Sequence, residues 1–157
     1  MDICLLSYKN GIRRLSECYS ETIRIAHNLE LLVSEFEYYE DLKNKLKFHE
    51  FLYIIKRIFI KSDYEVTYFT EKSELLNKQL EDLMLKRDKL FKEDEDLSSM
   101  ILDCLDVIHN FNECDIESLS RSDTIEYVKL SDEEISIHKG LERLTKKRFK
   151  LLKELGV

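Results

Sequence analysis

The 157-residue chain contains no proline and no tryptophan, and its only glycines are Gly11, Gly140 and Gly156. With so few residues that break a helix or favour a left-handed turn, long uninterrupted helices become the default. A phosphate-cradling loop needs clustered glycines so that backbone amides can approach the anion, and three scattered ones exclude nucleotide binding of that kind. Long hydrophobic runs are missing too. The most apolar stretch, residues 48–60, carries His49, Glu50, Lys56 and Arg57, which leaves it too short and too charged to span a bilayer.

Cys4, Cys18, Cys104 and Cys114 form no C-x-x-C pair, and no basic segment followed by an apolar run and cleavage site opens the chain. This predicts reduced thiols and an intracellular protein. The formal net charge of −7 opposes a general role in coating nucleic acid, which draws its affinity from Lys and Arg.

What is present is charge, 36% of all residues, with Leu, Ile and aromatics recurring at intervals between Lys and Glu. That profile belongs to long helices and coiled coils. Tyr8, Ile12, Leu15, Tyr19, Thr22, Ala26, Leu29, Val33 and Phe36 alternate in steps of four and three, the 3.5-residue period of a coiled-coil seam. Gly11 costs a helix about 1 kcal/mol relative to alanine, which predicts fraying or a separate turn before it. Phe48, Phe51, Leu52, Ile54, Ile55, Ile58, Phe59 and Ile60 cover most of a helix circumference, so this apolar hub is expected to be buried by several neighbours. Ser62 and Asp63 then mark a hairpin bend.

Leu76, Leu83, Leu90, Leu97, Cys104 and Phe111 recur at every seventh position. The companion row reads Leu80, Arg87, Asp94, Ile101 and Ile108, and its polar members weaken a seam while fixing its register. Residues 112–130 read as a linker. Ser131 and Glu134 match the S-x-x-E capping box and predict a last helix from about Asp132, with Ile137, Leu141, Leu144, Arg148, Leu151 and Leu155 on its seam and Gly156 at its end. The sequence thus predicts an all-α chain of long helices in a coiled coil or helical hairpin with a short C-terminal helix. Its segments are residues 1–61 (coiled-coil helix ending in the hub), 62–111 (long heptad helix), 112–130 (linker) and 131–157 (amphipathic helix).

Chemistry is sparse. Cys104, His109 and Cys114 do not match the usual zinc-ligand spacings and read as seam, helix-end and linker residues. His27, His49 and His138 stand singly, with no H-E-x-x-H and no nucleophile arranged beside them, so neither catalysis nor a cofactor or metal is expected. The acidic run from Glu93 to Asp96 reads as a solvated face. Lys146, Lys147, Arg148, Lys150 and Lys153 form a basic cluster that reads either as a localisation signal or nucleic-acid patch, or as charge suited to the last turns of a helix.

Tyr8, Ile12, Leu15, Ser16 and Cys18, followed by Tyr39 and Glu40, form a pattern that resembles the THO complex subunit 7 family. Glu50, Phe51, Lys56, Ile58 and Asp63 are similar to a later stretch of that family, and the heptads from Leu76 to Phe111, ending in Ile108 and His109, to its coiled coil. The resemblance implies a nuclear, non-catalytic subunit that pairs with another helical subunit in messenger-RNA packaging and export.

The expectation is therefore a non-enzymatic coiled-coil subunit. Its partner-binding seam would comprise Tyr8, Ile12, Leu15, Tyr19, Leu29, Val33, Phe36, Leu76, Leu83, Leu90, Leu97, Ile101 and Ile108, and its docking hub Phe51, Leu52, Ile55, Ile58 and Phe59. The expected partners are other helical subunits, in a hetero-oligomer rather than a homodimer and away from membranes, with nucleic acid met only indirectly or through Lys146, Lys147, Arg148 and Lys150. Kinetochore and vesicle-tethering complexes use similar subunits and are the alternative assemblies.

Overall fold

The structure, a computed structural model, describes residues 1–57, 64–111 and 116–156. Over these residues it is all-α, with helices α1 (Ile3–Arg57), α2 (Tyr64–Phe111) and α3 (Arg121–Glu154), and a 3-10 turn at Ile116–Ser118 before α3. The bend expected at Ser62 and Asp63 lies outside the described residues.

Local chemistry accounts for the helix ends. Asp2 caps α1, its Oδ1 accepting from the amides of Cys4 (2.9 Å) and Leu5 (3.3 Å). The fraying expected before Gly11 is absent, because α1 runs unbroken through it. A Cβ at Gly11 would lie 3.1 Å from Ile108 Cγ1 and 3.3 Å from Val107 Cγ1, so the glycine lets α2 approach closely and that packing offsets the lost propensity. The C-terminal helix is neither short nor started at Asp132. Ser120 accepts from the Asp123 amide at 3.1 Å and caps α3 eleven residues upstream of Ser131. That earlier cap and the apolar residues from Ile125 to Leu130 carry the helix through the second half of the expected linker. Gly156, at φ +89°, ends it as expected.

The chain divides into two compact units, Met1–Leu29 with Leu90–Val157, and Glu30–Lys89. In the first, α1, α2 and α3 form an up-down-up bundle. Tyr8 stacks on Phe111 (ring centroids 4.3 Å apart) and Gly11 meets Ile108, so α1 and α2 are antiparallel. Tyr8 reaches Glu134 and Tyr19 lies against Gly140, so α3 runs parallel to α1. With two neighbours, α1 buries three heptad rows here: Leu5, Ile12 and Ala26; Tyr8, Leu15, Thr22 and Leu29; and Cys18 and Ile25. From α2 come Leu97, Cys104, Ile108 and Phe111, and from α3 Leu130, Leu141, Leu144 and Leu151, with Leu155 just past its end.

The second unit is a two-helix antiparallel hairpin, in which Tyr53 packs on Phe69 (5.4 Å) and Lys86 Nζ pairs with Glu35 Oε2 (3.2 Å). One partner helix covers only a narrow stripe. Leu32, Tyr39, Tyr53 and Leu83 are the buried apolar residues among those described, while Val33, Phe36, Leu42, Leu46, Leu76 and Leu80 are half-buried.

The thiols also depart from expectation. Cys18 and Cys104 are free, but Cys4 is disulfide-bonded. The missing C-x-x-C pair argued only against pairing within a short segment, whereas a disulfide needs closeness in space.

Candidate protein-interaction surface

Within residues 30–57, the α1 row that faces α2 is Leu32, Tyr39, Leu46 and Tyr53. One position before it runs Leu31, Tyr38 and Leu52, all exposed. Towards the end of α1 this outward row widens: Phe48 (59% exposed), Phe51 (58%), Leu52, Ile54 and Ile55 take successive outer positions. On α2, Tyr68, Leu75, Met84 and Leu85 are exposed. The hub is therefore turned to solvent at Phe51, Leu52 and Ile55, while Ile58 and Phe59 lie outside the described residues.

Two hollows lie between the helices of this unit. One, of about 480 Å³, has Leu31, Tyr38, Tyr39 and Leu83 on its walls and Glu35, Asp82 and Lys86 at its polar edge. The other, of about 440 Å³, is lined by Tyr53, Ile54 and Phe69 together with Glu50, Thr70, Ser73, Glu74 and Asn77. In the first, apolar walls with a charged edge suit side chains of a further helix, the walls excluding water and the edge setting orientation, whereas the second is lined as much by polar as by apolar groups.

The expected partner-binding seam is placed differently. Tyr8, Ile12, Leu15, Leu29, Leu97 and Ile108 are core residues of the first unit, and Leu83 is buried in the second. Tyr19, Val33, Phe36, Leu76, Leu90 and Ile101 are half-buried. The correction has a simple cause: a heptad row marks a surface some helix must cover, and here helices of the same chain cover it. Sequence reasoning missed the α1 row Cys18, Ile25, Leu32, Tyr39, Leu46 and Tyr53, although its seven-residue spacing is as regular as that of α2.

The polar seam residues meet one another. Arg148, only 4% exposed, donates from Nε to Asp94 Oδ1 at 2.6 Å and from Nη2 to Ser98 Oγ at 2.9 Å, and Ser98 Oγ donates to the Asp94 carbonyl at 2.9 Å. This closed network removes Arg148 from the expected basic patch and Asp94 from the solvated acidic face, leaving Lys146, Lys147 and Lys150 exposed. At the other end of the bundle the Tyr8 hydroxyl donates to Glu134 Oε2 at 2.6 Å, and His138 Nε2 lies 3.5 Å from Glu134 Oε1. Burial, then the bond to Glu134 and its negative charge, push the Tyr8 phenol well above its ordinary range. Glu134, expected as a capping residue, is thus a mid-helix acceptor.

Among the described residues no group of three or more His, Cys, Asp or Glu is placed to hold a metal ion, and no helix is long and apolar enough to cross a membrane. Comparison of the chain with protein-family models, curated proteins and solved structures finds no match.

Proposed function

We propose that the chain is a non-enzymatic coiled-coil subunit of a multiprotein assembly, in which the hairpin of residues 30–89 receives helices of another subunit on its outer face. The observation that carries this reading is the row of large apolar side chains, Phe48, Phe51, Leu52, Ile54 and Ile55, that the chain itself leaves uncovered. Fully burying such a side chain is worth roughly 1.5–3 kcal/mol, so a helix laid over several of them gains enough to associate stably. The resemblance to the THO complex subunit 7 family makes a messenger-RNA packaging assembly the first place to seek the partner. The alternative of a nucleic-acid-binding module is weakened by the withdrawal of Arg148 into its pair with Asp94.

The test is affinity capture of the full chain from its native cell, beside a Phe51→Glu/Ile55→Glu variant. Both sites are exposed, so helicity and melting stay unchanged while the captured helical subunits are lost. Retention of the same partners by the folded variant would sink the proposal, as would a wild-type chain that captures nothing.

A further inference from the structure

The first unit has an uncovered groove of its own, where α2 and α3 lie side by side. Arg148 meets Asp94 and Ser98 there, and the three line a hollow of about 230 Å³ together with Ile101, Leu102, Phe149 and Leu152. Leu102 is 63% exposed and Phe149 64%, so the chain leaves both outer walls in water. All of the lining belongs to the first unit.

The charges beside the groove are sorted by sign. On α3, round the helix beyond Phe149, Lys139, Arg143, Lys146, Lys150 and Lys153 follow one another in steps of four and three, and all are exposed. That is the spacing of a coiled-coil seam, drawn in positive charge instead of leucine. Lys146 pairs with Glu142 of its own helix at 3.3 Å, and none of the other four has an ion pair among the described residues. On α2, the matching row beyond Leu102 starts at Lys92 and turns acidic through Asp96, Ser99, Asp103 and Asp106, again all exposed. Because the helices run antiparallel and Arg148 contacts Asp94 and Ser98, the two rows lie level with each other across the groove.

We propose that this groove docks an amphipathic helix of a protein partner, its apolar face on Leu102 and Phe149, an acidic edge along α3 and a basic edge along α2. At 1.5 Å per residue the basic row is about 21 Å long, enough to hold about four turns of the partner. A nucleic acid fits less well, since a polyanion drawn to α3 brings its charge against the aspartates of α2 and leaves the apolar walls wet. A helix can carry opposite charges on its two edges and apolar residues between them. Exposed ion pairs are individually weak, but several together change a dissociation constant by about tenfold and set the direction in which the helix lies.

The probe is a fluorescein-labelled peptide of about three heptads, long enough to be helical, with leucines on one face, glutamates along one edge and lysines along the other. Titrated with the full chain and followed by anisotropy, it is expected to bind about tenfold more tightly than leucine-matched peptides whose edges are both glutamate or both lysine. Phe149→Glu abolishes this binding, and Lys146→Glu/Lys150→Glu/Lys153→Glu moves the preference to the peptide with two lysine edges. All four positions are exposed, so melting is unchanged in both variants. The hairpin variant Phe51→Glu/Ile55→Glu keeps the wild-type affinity, which separates this groove from the hub. No binding of the mixed peptide, equal binding of all the peptides, or loss of binding in the hairpin variant would overturn the proposal. So would a labelled single-stranded RNA that binds more tightly than the peptide and is released by the charge reversal, the mark of a polyanion site.

Discussion

The buried pair of Arg148 and Asp94 offers the sharpest test of how the first unit is held together. Both side chains are withdrawn from water and joined at 2.6 Å, so the cost of desolvating two charges is met by their mutual attraction and by Ser98. Arg148→Met alone leaves the Asp94 carboxylate buried without its cation, and Asp94→Leu alone strands the guanidinium with only the Ser98 hydroxyl from this network. Losing one partner of a buried pair costs about 3–5 kcal/mol. At roughly 2–4 °C per kcal/mol for a chain of this size, each single variant should melt some 6–20 °C below the wild type. The double variant replaces both charges with apolar groups of similar reach and should be more stable than either single one, close to the wild type or above it. Urea titrations followed by circular dichroism measure all four corners of the cycle. Single effects that simply add in the double variant would refute the claim that these two residues act as one unit.

Gly140→Ala should destabilise the bundle by about 1–3 kcal/mol, because the new Cβ would lie 2.5 Å from the Tyr19 ring; a Tyr19→Ala partner change should recover part of the loss in thermal melts. Since the phenol of Tyr8 ionises at higher pH in the folded chain than in the unfolded one, its contribution is complete below the unfolded value of about 10 and fades as pH rises towards the folded one. Tyr8→Phe should therefore melt below the wild type at neutral pH, by about 1.5–3 kcal/mol for a bond to a charged acceptor, with the gap narrowing above pH 10 or so. A gap that widens there would contradict the assignment. Leu83→Ala should cost about 2–5 kcal/mol through the cavity it leaves, whereas Lys150→Glu on the exposed face of α3 should shift stability by no more than about 0.5 kcal/mol in the same denaturation assay.

Much of this architecture is legible in the sequence. The absence of proline and the seven-residue rows of α2 require long helices that pack along seams, and three long helices are found. Which helix covers which seam was not legible, because a heptad states that a face must be buried without naming what buries it. Tyr8, Ile12 and Leu15 consequently read as a surface for a partner and proved to be core. The start of α3 was misread because the capping signature at Ser131 and Glu134 is local, and the cap at Ser120 competes with it using the same chemistry. Arg87, Asp94 and Arg148 stood out as polar intrusions in apolar rows, yet only the fold shows that Asp94 and Arg148 are two halves of one contact, 54 residues apart in the chain. The outward hub needed no fold to be noticed, since no single seam can hide so many large residues on one stretch of helix.

The missing side chain at Gly140 has a consequence for alignment. A heptad helix can slip by one repeat along its neighbours and still present leucines inward, so apolar pattern alone leaves α3 several nearly equivalent resting places. A slip of one repeat would bring Lys147 or Glu133 beneath the Tyr19 ring, where even a methyl group would force the ring to move. The ring works as a key and the glycine as its notch, which favours this setting of α3 over its neighbours one repeat away.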